Sequence, residues 1–347
     1  MTNAADAWDG QGRVYSLPVQ GAPDQEEPTY PFTRGADFLF GQADLAPAIW
    51  GRGTDILMAE GEALILAGGD GVGKTTIAGQ FVRARLGLSQ KALGLPVVPS
   101  TRRVLYLAMD RPRQARRALS RHFSAEDTDV LNDKLAFWEG PPPYDLAQNI
   151  SLLTRMCERA DADTVIVDSL KDAALELTKD DVGSKWNRAR QTALQAGIQC
   201  FELHHHVKRG ADGHPPRTLA DLYGSRWIAA GAGSVIALHG EPGDLVVELR
   251  HLKQPMNEIG PWKITHDHER GVSMVLDETD PLAIVDAAGS DGMSLSTLTT
   301  AMFGKDTPNN REKARRRVKN TRDLITKGGG PREPTWIFSS RFSSRTA

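Results

Sequence analysis

Gly68-Gly69-Asp70-Gly71-Val72-Gly73-Lys74-Thr75 sets a lysine and a hydroxyl directly behind a glycine-rich turn. The spacing is G-x-x-x-x-G-K-[ST], and its chemistry is phosphate binding. Glycines let the backbone bend until successive N–H groups converge on phosphate oxygens, and a following helix adds the partial positive charge of its N-terminus. The expected cradle is Gly69, Asp70, Gly71, Val72, Gly73, Lys74, Thr75 and Thr76. In it Lys74 would reach the β- and γ-phosphates of a nucleotide, and the Thr75 hydroxyl would ligate Mg²⁺. ATP and Mg²⁺ are therefore the expected cofactors.

A cradle only binds; hydrolysis also needs a second metal-side carboxylate, a group that orients water and a γ-phosphate contact. Asp168 follows Val165-Ile166-Val167 at an expected strand end and fits the metal-side role. Asp110 closes the apolar run 103–109. Ligands of open α/β sheets sit beyond the carboxyl ends of the strands, so Asp110 and Asp168 can both face the phosphates. Asp110 is then the candidate base for water, an ion pair with Arg111 or Arg113 being the competing use. His204-His205-His206 ends a further strand. Adjacent strand residues point to opposite faces, so these three cannot share one metal ion. His206, or else His205, is expected as a polar sensor beside the γ-phosphate.

The elements that must position these groups are legible as alternating strands and helices. Residues 63–67 read as a buried strand and 76–86 as a helix with Ile77, Phe81 and Val82 on one face. Further strands are expected at 103–109, 164–168, 197–203, 233–238, 245–250, 261–266 and 272–276, with helices at 113–123, 146–159 and 185–196. This alternation predicts an α/β fold with a doubly wound, mostly parallel sheet. Residues 1–35 read as a flexible acidic arm, 36–280 as the core with an apolar lead-in over 36–59, and 281–347 as a small basic domain. In the last segment, short helices at 281–288 and 294–303, a long basic helix at 309–327 and a strand at 335–338 form a winged-helix-like pattern.

Composition bounds the setting. The 347 residues are 40% hydrophobic and 25% charged, ordinary for a globular α/β protein. No apolar run reaches the length of about 18 residues that a membrane helix needs, so no membrane is expected as a partner. Cys157 and Cys200 are the only cysteines, too few for a disulfide framework, and a cytoplasmic setting is expected. The net charge of −2 hides an uneven distribution: from Lys305 onward twelve Lys/Arg face four Asp/Glu. Such a basic tail suits a polyanionic partner.

The order of Gly68 to Thr75, Leu107-Ala108-Met109-Asp110, Val165-Ile166-Val167-Asp168-Ser169 and His205-His206-Val207-Lys208 resembles the RecA-type ATPases. Within them it is most similar to the hexameric replicative helicases of the plasmid RepA and DnaB-like kind. Leu219 to Ser225, Gly231 to Val235 and Glu248 to Gln254 carry the resemblance further, over about residues 50–275. It implies a RecA-like ATPase core, an ATP-driven helicase acting on single-stranded DNA, a homo-oligomer, namely a hexamer, and a primase or other replication protein as a possible partner. It also implies that Asp110 is the catalytic base, where the DnaB branch has Glu, and that His206 contacts the γ-phosphate. Lys253, with Arg250 as second choice, would reach the neighbouring subunit's nucleotide. The basic stretch 208–217, with Lys208, Arg209 and Arg217, resembles a channel loop that holds single-stranded phosphates, and 171–185 is a second such loop. Arg315, Arg316, Arg317 and Lys319 on the last helix are further candidates for DNA contact. A recombinase or helicase loader, and a regulatory DNA-binding ATPase that does not unwind, are the alternatives.

Overall fold

The computed structural model describes residues 32–41, 47–207, 218–267, 270–276, 281–321, 323–328 and 334–340. The chain divides into two units, Met1–Pro47 and Ala48–Ala347. The described part of the first is the short helix Gly35–Phe40, on which Phe38, Leu39 and Phe40 are exposed. All the other described elements belong to the second unit.

Its centre is a nine-stranded sheet. Six strands run parallel: β1 (Leu64–Gly68), β2 (Arg103–Ala108), β3 (Leu135–Glu139), β4 (Ala162–Asp168), β5 (Gln199–His204) and β6 (Ser234–His239). Three more, β7 (Val246–Lys253), β8 (Trp262–Asp267) and β9 (Val272–Leu276), extend it antiparallel. The order across the sheet is β3-β2-β4-β5-β1-β6-β7-β8-β9. β1 therefore lies in the interior, and the chain leaves it over β5 and β4 to reach β2. The mostly parallel α/β fold expected from the alternating pattern is present.

The sheet is covered on both sides, as parallel strands require. Leu64 and Leu66 of β1 join Trp50, Phe81 and Phe201 in one core, while Ile65 and Ala67 join Leu153, Trp186 and Cys200 in the other. The ring centroids of Trp50 and Phe81 are 5.4 Å apart, and those of Phe81 and Phe201 5.0 Å in an edge-on contact. Helices Lys74–Arg85 and Pro112–Leu119 contribute to the first core, and Leu152–Arg159 and Asp180–Gln195 to the second. The helix Asp180–Gln195 is also pinned by charge. Arg190, fully buried, donates from Nε to Glu202 Oε1 at 2.6 Å and from Nη2 to Oε2 at 2.7 Å.

Several elements depart from the sequence expectation. The lead-in is an antiparallel hairpin, Ala48–Arg52 with Asp55–Ala59, which buries Ile49, Trp50, Ile56 and Leu57. The edge strand β3 was not expected, because no Gly or Pro separates it from the helix Thr128–Lys134 before it. The expected loop 171–185 is largely helical, with Leu170–Ala173 and the first turn of Asp180–Gln195 inside it.

The C-terminal part has its own small core of Val285, Leu298, Ala314, Val318 and Ile337. Helices Pro281–Ala287, Leu295–Phe303 and Pro308–Asn320 surround it. Strands Met293–Ser294, Trp336–Ser339 and Leu324–Lys327 form a three-stranded antiparallel sheet with Trp336–Ser339 in the middle. The basic helix expected over 309–327 ends instead at Asn320, and its last four residues are a strand. Ile325 and Thr326 are β-branched and prefer the pleated surface, where they pair with Phe338 and Ile337. The helix starts on a Thr307 cap whose side chain accepts from Asn310 N–H, with Pro308 in its first turn.

Candidate nucleotide site

The strand–turn–helix that carries the glycines forms as the spacing predicts. β1 ends at Gly68 and the helix begins at Lys74. Gly71 and Gly73 take left-handed backbone, with φ of +72° and +91°, which a side chain resists. Lys74 curls back over the turn: its Nζ donates to Gly68 O at 2.9 Å and Gly69 O at 2.6 Å. Burial lowers the Lys74 pKa to about 8, although Asp70 and Asp168 oppose the shift. A nucleotide's phosphates would further favour the charged form and compete for these donors.

Beyond the carboxyl ends of β1, β2 and β4 lies a cavity of about 330 Å³. Asp70, Gly71, Gly73, Lys74, Thr75 and Thr76 line one side, with Asp110, Gln114, Asp168 and His205 on the others. Of the expected cradle, Val72 is buried beneath the turn and Gly69 contributes its carbonyl to Lys74. Register explains why two carboxylates meet there: Ala108 of β2 lies beside Asp168 of β4, so Asp110 emerges just past the same sheet end.

Asp168 is held by Tyr106, whose hydroxyl donates to Oδ2 at 2.6 Å. Burial nonetheless raises the Asp168 pKa, against the pull of Tyr106 and Lys74. Thr75 and Asp168 offer a hydroxyl and a carboxylate to one space, the hard-oxygen set that suits Mg²⁺. Among the described residues no group of three His, Cys, Asp or Glu side chains could hold a metal alone. Mg²⁺ commonly binds through few protein ligands together with substrate phosphates, and the pair fits that habit. Asp110 lies 3.0 Å from Arg111 Nε and 3.8 Å from Lys171 Nζ. The pairing with Arg111 foreseen as the competing use is thus present, and Asp110 lines the cavity as well.

The three histidines separate. His204 is fully buried, its Nε2 2.6 Å from Tyr223 O, and burial lowers its pKa to about 3. His205 lines the cavity, 3.5 Å from Asp70, with a pKa lowered to about 4 by burial and then by Lys74. His206, the first choice for the sensor, stacks on His239 at 6.0 Å and does not line the cavity. The side chain facing the phosphate space is His205: past β5 the chain stays extended, His206 bridging Leu222, so His205 points to the side opposite His204 and His206.

Arg250 and Lys253 lie elsewhere. Gly68, at the phosphate end of the sheet, pairs with Leu238 of β6, whereas Lys253 pairs with Val235 and Arg250 with Ala237. Lys253 stands at the opposite end of the sheet and donates from Nζ to Ala230 O at 2.8 Å and Ala229 O at 3.2 Å. Arg250 is paired with Glu248. Neither lines the cavity of its own chain. Lys208, Arg209 and Arg217 lie outside the described residues. On the last helix Arg315 and Lys319 are exposed, while Arg316 and Arg317 are half-buried.

Sequence reasoning missed Tyr106, Gln114 and His266. Tyr106 was visible as the one polar tip in the run Val104-Leu105-Tyr106-Leu107. His266 of β8 presents Nε2 to Val72 O at 3.1 Å and Nδ1 to Ser273 Oγ at 2.8 Å, bracing the glycine turn from the antiparallel edge. No local signal marks that role.

Residues 40–211 match the family model described as an AAA domain. That stretch, with its phosphate loop, is a P-loop ATPase domain. No curated protein matches the chain. Among solved structures the chain is similar to a KaiC-like protein from the hyperthermophilic archaeon Pyrococcus horikoshii, at 16% identity and a TM-score of 0.46, covering 67% of this chain and 98% of that one. Among the described residues no helix is long and apolar enough to cross a membrane.

Proposed function

We propose that the protein is an ATP-driven, RecA-type oligomeric motor that moves on single-stranded DNA and unwinds duplex ahead of it. The observation that carries the reading is the cavity where Lys74, Thr75, Asp168, Asp110 and His205 converge. Lys74 would neutralise the β- and γ-phosphates. Thr75 and Asp168 would hold Mg²⁺, which when bound supplies charge stabilisation to the transferring phosphoryl group. Asp110, anchored by Arg111 and Lys171, would orient the attacking water, and His205 would contact the γ-phosphate.

The oligomer, a hexamer in this reading, is supported by position. Lys253 stands at the far end of the sheet from its own cavity, so any contact it makes with a nucleotide must be with a neighbour's. DNA is supported by the C-terminal part, whose helix order and β-sheet suit a winged helix, with Arg315 and Lys319 exposed on its last helix. The same observation favours the second reading, a regulatory ATPase that binds duplex and does not unwind it.

The experiment is ATP hydrolysis with and without single-stranded DNA at several salt concentrations, paired with strand displacement on a forked duplex. Stimulation that weakens steeply with salt, together with strand release, supports the motor. Hydrolysis indifferent to DNA, with duplex binding that survives Lys74→Ala, supports the regulatory ATPase.

A further inference from the structure

The last helix carries basic residues on two faces. Arg315 and Lys319 point outward, whereas Lys313, Arg316, Arg317 and Asn320, spaced at i, i+3, i+4 and i+7, face the sheet. Between that inner face and the end of β8 lies a cavity of about 150 Å³. Arg52 of the N-terminal hairpin closes it, with Asp55 and Glu258 as its acidic residues.

Its positive charge is only partly spent inside the protein. Lys313 is neutralised by Glu258, Nζ to Oε2 at 2.9 Å. The Arg317 guanidinium sits over the Phe303 ring, 5.2 Å from its centroid. Arg316 Nε is buried and has no acceptor among the described residues. Buried donors are nearly always paired, and a guanidinium fork matches phosphate oxygens in pairs. A second chamber of about 520 Å³ shares the Arg52, Leu95, Trp262 and Arg317 walls and adds Leu93 and Met274. A charged compartment opening onto a partly apolar one suits a phosphate joined to an organic group.

We propose that this cleft binds a phosphate-bearing small molecule, with Arg52 and Arg316 as its anion ligands. The site is separate from the cavity at the phosphate loop, since the two share no residue. A small ligand is favoured over a nucleic-acid strand because the arginines line a recess behind the helix. Its outer face, with Arg315 and Lys319, is the one open to a polymer. The far chamber also touches Gln80 of the phosphate-loop helix, whose amide donates to Ser273 O at 3.0 Å and accepts from Ser273 N–H at 3.1 Å.

The test is titration calorimetry on the full chain with the phosphate loop saturated by a non-hydrolysable ATP analogue and Mg²⁺. Pyrophosphate is the probe, and a short oligothymidylate is the parallel arm. The expected result is saturable pyrophosphate binding that weakens about tenfold or more in Arg316→Gln and in Arg52→Gln, the loss of one charge-assisted contact in each. Arg315→Gln, on the outer face, should leave it unchanged. Thermal denaturation of each variant shows whether it is folded, and Arg52→Gln, on an exposed side chain, keeps the test usable if Arg316→Gln unfolds. Absence of pyrophosphate binding, binding indifferent to Arg52 and Arg316, or binding of the oligonucleotide alone through these arginines would each overturn the proposal.

Discussion

Tyr106 of β2 donates its hydroxyl to Asp168 Oδ2 of β4 at 2.6 Å, so two adjacent parallel strands fix this carboxylate at the wall of the phosphate-loop cavity. The bond favours the ionised carboxylate, while burial favours the protonated one, and burial is the larger influence. Removing the hydroxyl takes away the main opposing influence. Tyr106→Phe is expected to lose about 1.5–3 kcal/mol of charge-assisted hydrogen bonding. At 1.36 kcal/mol per pH unit, the acidic limb of ATP hydrolysis should move up by about one to two units. The half-saturating Mg²⁺ concentration should rise with it, most strongly at the pH of that limb. A pH–rate profile at several Mg²⁺ concentrations checks both, and an unmoved limb would mean that Asp168 does not govern metal binding.

Lys74 carries a second pH dependence of opposite direction. Its pKa in the nucleotide-free protein is lowered to about 8 by burial, and phosphate oxygens raise it on binding. Above pH 8 binding must therefore take up a proton. Affinity is expected to be flat below that pH and to fall by up to about tenfold per unit above it. Lys74→Arg keeps its charge throughout this range, so whatever affinity it retains should not show the fall. Titration of a fluorescent ATP analogue from pH 7 to 10 measures the difference. Lys74→Ala should lose hydrolysis while keeping its melting temperature near that of the parent.

The glycine turn is braced from across the sheet. A Cβ at Gly73 would land on the His266 ring, and the residue holds φ at +91°. Gly73→Ala is expected to cost about 1–2 kcal/mol for the backbone and about 1–3 kcal/mol for the clash. His266→Ala should relieve only the second part, so the double variant should be more stable than the sum of the two single losses predicts. Urea denaturation of the four proteins gives the coupling, expected at about 0.5–3 kcal/mol. Strict additivity would separate His266 from the turn.

What was legible in the chain follows the range of each interaction. The glycine spacing, the apolar runs of β1, β2, β4 and β5 and the aspartates closing two of them are local patterns, and each is where its run predicts. The Tyr106–Asp168 bond depends on the register of two strands 62 residues apart, which no window of sequence contains. His266 is further still, 194 residues from the carbonyl it meets. Glu202 reads as an anomaly inside the apolar run of β5 until Arg190 arrives from the preceding helix. The choice of His205 over His206 turns on contacts that no local pattern contains, His206 bridging Leu222 and stacking on His239. In the basic tail composition showed the charge but not its partition, which depends on which helix face packs on the sheet.

Lys253 gives the most direct test of assembly. Within its own chain Nζ caps the carbonyls of Ala229 and Ala230 at the end of the helix Arg226–Ala230, and burial lowers its pKa. If that cap is its whole use, Lys253→Met should cost about 1 kcal/mol of stability, the usual value of such a bond, and leave turnover per bound nucleotide intact. A contact with the neighbouring subunit's γ-phosphate predicts something different. Nucleotide affinity and melting temperature should change little, while turnover falls by two orders of magnitude or more, as for a finger supplied in trans. Mixing Lys253→Met with Lys74→Ala subunits separates the two cases. Each variant lacks a different half of a shared site, so mixed oligomers should recover hydrolysis at those interfaces where an intact phosphate loop meets an intact Lys253. No recovery across the mixing ratios would confine Lys253 to its own helix cap.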